Sequence, residues 1–470
     1  MKKQIAIFLL IIIGTVITTY YTSPIISSLY YLGMLIAYFR SKNEAMWLAV
    51  FLVVSDGFIG FFGPYHTTLS MIPGLPPIEI GQLYILLTIV KALRIGPVNR
   101  PYYSGLLGAM FVYILFLIVQ GYVMGLTLAL NIIFRVIKEI TPLLLFFTIP
   151  RLMTEERDYR NFFYYLFPIA FSAFISQVFT INMAMSPSEF LGGTGHDHLA
   201  FDVTEGRTYR GFFSSGTVLI TLFGALYFIA KKGKDEDFNP LLLYAVVGAN
   251  FLSAFLSATR GWVLSFGFII FLFFTVVAKF NLKQLALIGV TGIVLFIGLM
   301  SFPIVGMQFT NALNRILTIK SLASGDATAG GTLVRLSERS PRVVKKWLES
   351  PLTGWGFSNT FMQYSDLHVA NQNILMHSGV AGFALMMMFF FYFNWKLFLC
   401  SASLPRSHPL KESLLVFIVF FMGWFIIHSS SGQYFSYYNL PAEGILLGSF
   451  FSFGGLAYKK ALSIKPSQWA

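Results

Sequence analysis

Long apolar runs alternate with short charged or Pro- and Gly-containing stretches over all 470 residues of this chain. A helix needs roughly 20 mainly apolar residues to cross a bilayer, and runs of that length recur along the whole sequence. The pattern predicts an all-α, polytopic membrane protein with about 14 transmembrane helices, within a range of about 12 to 14. The predicted spans lie at 4–20, 23–39, 45–63, 77–91, 103–121, 126–149, 161–182, 211–230, 240–258, 262–278, 284–304, 373–394, 412–428 and 438–456.

Two of these spans have the weakest apolar pattern. The run at 77–91 carries the sequence IEIGQ near its start, and the run at 126–149 contains Arg135, Lys138 and Glu139. A tilted or interfacial helix explains either run equally well, which sets the lower limit of the predicted range. The sequence shows no internal repeat and no soluble domain boundary, so residues 1–470 are interpreted as a single transmembrane domain.

Composition agrees with a membrane protein and removes several other classes. Apolar residues make up 56% of the chain and charged residues 11%, which is too hydrophobic for a soluble domain. The single cysteine, Cys400, excludes an internal disulfide framework and a cysteine zinc cluster. A net charge of +13 is explained first by basic cytoplasmic loops, so no nucleic-acid partner is expected.

Basic residues also predict the topology. Lys2 and Lys3 precede the first apolar run, and no A-x-A cleavage site follows, so that run is interpreted as a retained helix. With these lysines inside, alternating spans place most of the 33 Lys and Arg residues in cytoplasmic loops and leave several outer loops with none. Both termini are then cytoplasmic, and the one large polar loop, 305–372, is extracytoplasmic.

The exceptions to this charge rule are the informative residues. Arg210, in GRTYRGFF, precedes one predicted helix, and Arg260, in LSATRGWV, occupies a turn so short that two helices must meet there. Both arginines lie at the predicted outer interface. Each is open to two interpretations: a side chain that snorkels to lipid phosphate, or a clamp for a phosphorylated substrate, because a guanidinium presents paired donors to phosphate oxygens.

The outer loop contains two further candidate elements. A basic amphipathic segment at 334–349 predicts a short helix on the membrane surface, where it would bind lipid headgroups. It leads through SPLTGWGF to His368, just before the next apolar run. His368 is open to two roles, a cap for the following helix or a general base, since histidine titrates near neutral pH. His377 is interpreted as structural, and His428 is a minor candidate.

The order and spacing of these motifs is similar to that of the O-antigen ligase and O-antigen polymerase superfamily, over roughly residues 200–395. The matching residues are Arg210 and Gly211, then Ser257, Arg260 and Gly261, then Pro351, Leu352, Gly354 and Gly356, and finally His368, Gly379 and Gly382. The chain departs from the family pattern at Val369, where the family usually has Asn. That departure leaves the branch of the family open.

The resemblance implies a metal-independent, inverting glycosyltransferase without a cofactor, in a bacterial cytoplasmic (inner) membrane. The donor would be a polyprenyl-diphosphate-linked oligosaccharide and the acceptor a glycan or lipid hydroxyl, with membrane lipid and a chain-length regulator as further partners. His368 would be catalytic and Arg210 and Arg260 would bind the diphosphate. Additional substrate-binding candidates are Arg207, Arg335 and Arg339. Within the family the resemblance implies, ligases generally have about twelve spans, so about fourteen spans favour a polymerase. The alternatives are a ligase that uses a lipid A-core or other acceptor, and a lipid-linked-glycan flippase or transporter.

Three other features have structural explanations that compete with functional ones. His196 and His198 flank Asp197 in a short His-x-His match to a zinc site, and the resemblance disfavours that metal interpretation. Asp56 and Glu443 fall within predicted spans, where a carboxylate could serve as a proton relay. The preferred interpretation is that each is a hydrogen-bonded packing residue near a helix end. Tyrosines in the outer segment 429–441 are expected at a membrane interface, with sugar stacking as the alternative.

Overall fold

A computed structural model describes most of the chain. The described residues are 2–61, 67–69, 78–95, 100–192, 208–209, 211–231, 238–281, 300–317, 338–366, 369–430 and 441–463, with scattered positions between 283 and 298. The helices are α1 Lys2–Tyr21, α2 Pro24–Arg40, α3 Glu44–Ser55, α4 Ile80–Arg94, α5 Ser104–Val123, α6 Leu130–Ile140, α7 Leu145–Leu152, α8 Glu156–Met183, α9 Pro187–Phe190, α10 Ser215–Ala230, α11 Pro240–Leu256, α12 Arg260–Leu272, α13 Pro303–Leu317, α14 Ser340–Leu348, α15 Asn359–Tyr364, α16 Ala370–Ser403, α17 Lys411–Ser430 and α18 Pro441–Ser463. One antiparallel pair of two-residue strands, β1 Thr68–Leu69 and β2 Ile78–Glu79, accompanies them.

The structure confirms the all-α prediction and the apolar helices of a multi-pass membrane protein. Among the described residues, five helices are long and apolar enough to cross a bilayer, and they include α1, α5, α8 and α16. The fifth runs from Arg260 to Val277, where α12 continues into a π-helical turn. Helices α3, α10 and α11 are apolar but shorter. The number of spans therefore remains a prediction.

The two weakest predicted spans turn out differently from each other. Helix α4 is continuous from Ile80, directly after strand β2. The run at 126–149 is instead divided into α6 and α7 by a tighter 3-10 turn, Thr141–Leu144. Pro142 lies in that turn, where it lacks the backbone N–H that a continuous α-helix would use. The predicted span 284–304 lies mostly outside the described residues.

Local capping signals explain where several helices begin. Pro24 and Pro240 each occupy the first turn of a helix, after Ser23 and Asn239, whose side chains accept a backbone N–H. Helix α8 begins with a capping box formed by Glu155 and Asp158. Short polar linkers can therefore reverse the chain between long apolar helices.

Three helices form the centre of the bundle. The side chains of α3 from Ala45 to Ser55 are all buried, as are those of α10 from Ser215 to Tyr227 and those of α18 from Pro441 to Gly455. A helix that is apolar on all sides belongs in the interior. Helices α1 and α5 instead leave large apolar side chains such as Leu10 and Val112 exposed, as lipid-facing helices do.

The bundle has two ends of different character, which we call the basic end and the irregular end. At the basic end α4, α7, α10 and α18 finish and α3, α5 and α8 begin. Glu156 pairs there with Lys231 at 2.8 Å and with Lys460, and Lys91 pairs with Glu44. The irregular end is the opposite one, where α10, α12, α16 and α18 begin.

Left-handed backbone conformations are concentrated at the irregular end. The described residues with positive φ at that end are Gly57, Phe58, Ile59, Gly60, Gly125, Ala184, Gly192, Ser214, Ala258, Gly354, Gly356 and Gly379. At the basic end Lys279 alone among the described residues has positive φ. Non-glycine residues seldom adopt this conformation unless the surrounding structure enforces it.

Candidate functional site

Two of the six candidate site residues fall within the described part of the chain. Arg260 is the first residue of α12, and Arg339 directly precedes α14. Arg207, Arg210, Arg335 and His368 lie outside the described residues. Residues on either side of Arg210 and of His368 are described, and their contacts define the two regions of the site.

The turn that carries Arg260 is as short as the sequence predicts. Helix α11 ends at Leu256, and Ala258 takes a left-handed conformation with φ of +48°. The Ser257 hydroxyl donates to the Ala254 carbonyl at 2.6 Å and accepts the Thr259 N–H at 3.3 Å. This hydroxyl bridge fixes the direction in which α12 begins and so fixes the position of Arg260, which is half-buried.

One buried amide joins this turn to the chain just before Arg210. Gln308, on α13, accepts the Tyr209 N–H at 3.2 Å and donates to the Tyr209 carbonyl at 3.0 Å. The same nitrogen donates to the Leu256 carbonyl at 2.7 Å. The residue before Arg210 and the last residue of α11 are therefore neighbours. Sequence reasoning missed Gln308, because residues 305–372 were interpreted as an outer loop rather than as the start of a packed helix.

Asp56 organises the start of the helix that follows Arg210. Its carboxylate accepts the N–H of Gly216 at 3.3 Å and of Thr217 at 2.7 Å, in the first turn of α10. Backbone N–H groups at a helix start lack intrahelical partners, and a carboxylate there is favoured by the helix dipole. The preferred interpretation of Asp56 as a hydrogen-bonded residue near a helix end is confirmed.

The backbone after Asp56 is also attached to the start of α10. The Ser214 hydroxyl accepts the Ile59 N–H at 2.7 Å, and the Ile59 carbonyl accepts a hydrogen bond from Ser176 at 2.5 Å. Both Ser214 and Ile59 have positive φ. Distant parts of the chain therefore hold an energetically unfavourable backbone in place at the start of α10.

Glu443 lies beside the same helix start. It is 4% exposed in the first turn of α18, and a cavity of about 10 Å³ separates it from Gly216, Trp262 and Trp424. A cavity of that size holds about one water molecule. Glu443 is thus close to the first turn of α12 as well as to α10, at a helix end as the sequence indicated.

The second region is a loop bonded to a broken helix, and we call residues 350–357 the stapled loop. Gly379 interrupts α16 with φ of +63° and ψ of −175°. The backbone N–H groups of Val380 and Ala381 donate to the carbonyls of Pro351 at 2.9 Å and Leu352 at 3.0 Å. The stapled loop thus supplies partners for donors that the break releases from the helix.

The two glycines of the loop motif complete the attachment. Trp355 and Gly356 donate their N–H groups to the carbonyls of Met376 and His377, both at 2.8 Å. Gly354 and Gly379 approach so closely that a Cβ on Gly354 would lie 2.5 Å from the Gly379 nitrogen. The loop motif and the glycine after His368, separate in the sequence, are therefore two halves of one contact.

Helix α5 holds the other side of the stapled loop. The Gln120 amide donates to the Gly354 carbonyl at 2.6 Å, and the Tyr113 hydroxyl donates to the Ser378 carbonyl at 2.7 Å. Phe357 donates its N–H to the Leu117 carbonyl at 3.2 Å. Sequence analysis predicted no role for α5 at the site.

Short helix α14 covers the stapled loop and contacts the residues that flank His368. Val343 is fully buried against Phe361, Val369 and Met376, and Trp355 donates its indole N–H to the Lys346 carbonyl at 2.7 Å. The predicted amphipathic segment is thus a packed helix in its described part, Ser340–Leu348. A hydrogen bond to Glu349 raises the pKa of the Lys346 ammonium, whose side chain is half-buried.

Asp366 links the basic side of α14 to the start of α16. Its carboxylate lies 3.2 Å from Arg342 and 3.6 Å from Arg339. Its backbone N–H donates to the buried Asn373 side chain at 3.0 Å, and its carbonyl accepts the Val369 N–H at 3.2 Å. The chain is therefore fixed on both sides of His368, and Arg339 faces a carboxylate of the protein itself.

His377 is part of the packing under the stapled loop. Its ring is fully buried, 4.5 Å from the ring of Phe357 and 4.6 Å from that of Phe361, measured between centroids. These contacts confirm its structural interpretation. The His196 and His198 pair lies outside the described residues, as does most of the aromatic segment 429–441.

The two regions pack on separate hydrophobic clusters. Tyr209, Leu256 and Val263 belong to one cluster, and Val343 and Val369 to the other. A scan of the chain against protein-family models and a search of curated proteins found no match. A functional assignment consequently starts from these residues and their contacts.

Proposed function

We propose that this protein belongs to the O-antigen ligase and polymerase superfamily and acts as a membrane glycosyltransferase. In this proposal it transfers a polyprenyl-diphosphate-linked glycan to an acceptor hydroxyl at the outer face of a bacterial cytoplasmic membrane, with polymerisation as the first candidate reaction. The observation that supports the proposal is that the described motif segments lie at one end of the bundle, in two groups that are each held by hydrogen bonds. Gln308 joins two of them, and the stapled loop joins the third to the helix after His368.

The arginines supply what a diphosphate leaving group requires. Negative charge develops on the diphosphate as its bond to the sugar breaks, and preorganised cations at that position stabilise the transition state. Arg260 is held at the start of α12 by a rigid turn, and the residue before Arg210 is bonded through Gln308 to the same turn. A guanidinium binds phosphate oxygens in pairs, so these two residues suit a clamp.

His368 supplies the second requirement, a base for a weakly nucleophilic hydroxyl. A neutral imidazole accepts the acceptor's proton while the acceptor oxygen bonds to the anomeric carbon and the bond from that carbon to the diphosphate oxygen breaks. A single displacement of this kind inverts the anomeric configuration. Asp366 and Val369 attach the neighbouring backbone to α14 and to the start of α16, as a base that must be positioned requires.

A cell-free assay separates the candidate reactions. Purified full-length protein in lipid nanodiscs is given a polyprenyl-diphosphate-linked oligosaccharide, with and without a separate glycolipid acceptor, and the product length is read on a gel. A ladder on the carrier supports a polymerase, and a single transfer to the added acceptor supports a ligase. If no glycosidic bond forms although the lipid-linked glycan moves between leaflets, the protein is a transporter and the proposal is wrong.

A further inference from the structure

The basic end contains a cavity that the proposed transferase reaction does not use. It measures about 410 Å³ and lies between the segment that leads into α5, the end of α7 and the last turns of α18. Ligand pockets for small molecules and headgroups begin at about this size. Because α18 begins at the irregular end and finishes here, the cavity is at the opposite end of the bundle from Arg260.

Two cationic side chains line this cavity. Arg100 and Lys459 are both exposed, and neither takes part in the ion pairs found among the described residues. The adjacent Lys460, by contrast, pairs with Glu156. Thr154 and Tyr458 add hydroxyl groups to the same lining. Among the described residues, the cavity therefore presents two cations without a paired carboxylate, beside neutral hydrogen-bonding groups.

Apart from the hydroxyl groups of Ser452 and Tyr102, the rest of the lining is apolar. Pro150, Met153, Leu456 and Leu462 form this wall, and Leu462 is 59% exposed. A free inorganic anion would gain nothing from such a wall. A molecule with a phosphate and an attached hydrocarbon chain would use both parts, because a guanidinium and an ammonium bind phosphate oxygens while an acyl chain covers apolar side chains.

We infer that this cavity binds the phosphate headgroup of an anionic phospholipid from the leaflet at the basic end. Arg100 and Lys459 contact the phosphate, and an acyl chain lies along Met153, Leu456 and Leu462. Basic clefts between transmembrane helices are recognised sites for anionic lipid headgroups. The inference does not depend on the proposed transferase function, because the cavity is at the other end of the molecule.

Lipid binding by the purified full chain tests the inference. The protein in neutral detergent is titrated with phosphatidylglycerol or phosphatidylcholine, and bound lipid is counted by native mass spectrometry. We expect the wild type to prefer phosphatidylglycerol, and the double variant Arg100→Gln/Lys459→Gln to bind it about tenfold or more weakly, as loss of charge-assisted hydrogen bonds predicts. Lys42→Gln, an exposed cation on another loop at the basic end, serves as the matched control and should bind as the wild type does.

Two further measurements make the outcome decisive. Melting temperatures without added lipid, together with the single variants Arg100→Gln and Lys459→Gln, separate a folding defect from a lost site. Glycerol 3-phosphate is added as a competitor of phosphatidylglycerol. If it displaces the lipid at equal concentration, the ligand of these cations is a soluble phosphate ester and not a phospholipid. If a correctly folded double variant keeps wild-type affinity, or the wild type takes up both lipids equally, the inference is overturned.

Discussion

Polar and charged side chains have different bonding partners at the two ends of the bundle. At the basic end, the strongest described contacts between helix ends are ion pairs, as Glu156 forms with Lys231 and Lys460. The irregular end also has an ion pair, between Asp366 and Arg342, but its candidate site is held mainly by hydrogen bonds to backbone. Asp56 bonds there to α10, Gln308 to two chain segments, and the stapled loop to α16. Ion pairs connect one helix end to another, whereas hydrogen bonds from side chains to backbone position particular chain segments and helix starts.

The two ends also differ in backbone conformation. Left-handed conformations at non-glycine residues such as Ile59, Ser214 and Ala258 cost of order 1 kcal/mol or more each, and they persist only where the surroundings enforce them. They flank Gly211 and Arg260, two of the motif positions. Such conformations tend to cluster at functional sites, which supports the proposal that the irregular end carries the chemistry.

The largest expected effect is at the stapled loop. Gly379→Ala should destabilise the protein by about 3 kcal/mol or more, because a Cβ there meets the Leu352 carbonyl oxygen at 2.2 Å in a left-handed conformation. Thermal unfolding in detergent measures the loss. Gly108→Ala, on α5 with no atom near its added Cβ, is the control and should be neutral or slightly stabilising. Equal melting temperatures for the two variants would contradict the tight contact.

Loss of the cap on α10 comes next. Asp56→Ala removes the acceptor of two backbone N–H groups, and we expect a loss of about 1–3 kcal/mol together with slower transfer, since α10 follows Arg210. Asp56→Asn keeps an acceptor oxygen and should recover part of both. Melting temperature and turnover are compared in the same preparations. An Asn variant no better than Ala would show that capping is not the role of Asp56.

Gln308 tests the link between the two arginine segments. Gln308→Ala leaves the carbonyls of Tyr209 and Leu256 without their shared donor, at a cost of about 1–2 kcal/mol. Because the substitution separates the segments that carry Arg210 and Arg260, turnover should fall more than stability explains, with a raised KM for the lipid-linked donor. Kinetics at several donor concentrations measure this. Unchanged KM and turnover would remove Gln308 from the account.

The smallest effect is expected at the basic end. Lys460→Gln removes one partner of Glu156 while Lys231 remains at 2.8 Å, so we expect a change of about 1 kcal/mol or less that shrinks further in high salt. Glycan transfer should stay at the wild-type rate. A large loss of transfer with intact folding would contradict the assignment of chemistry to the opposite end.

Elements that depend on local composition could be predicted from the sequence. The span predicted at 103–121 is the helix Ser104–Val123. The short turn before Arg260, predicted from the apolar runs on either side of it, is also present. Asp56 was correctly placed at a helix end. The length of a helix, its apolar composition and the positions of its ends depend on a continuous segment of the sequence, so they can be predicted without knowing the tertiary structure.

The missing parts are contacts between distant segments. Gly354 and Gly379 look like independent glycines in the sequence. A Cβ on Gly354 would meet the Gly379 backbone, however, and a Cβ on Gly379 would meet the backbone of Leu352 and Thr353 in the stapled loop. Gln308 joins residues 209 and 256 through one amide, and no spacing rule relates those three positions. The break in α16 was likewise unforeseen, because its released N–H groups are satisfied by a loop that precedes the helix.

The central claim is that the irregular end catalyses glycan transfer with His368 as base and Arg260 as a diphosphate ligand. The most direct test is the turnover of a polyprenyl-diphosphate-linked oligosaccharide by His368→Ala, Arg260→Ala and the Lys42→Gln control, each with its melting temperature. We predict rates lower by about 10²–10⁴ for His368→Ala and about 10²–10³ for Arg260→Ala, with the control at the wild-type rate. Wild-type turnover by a folded His368→Ala variant would contradict the account.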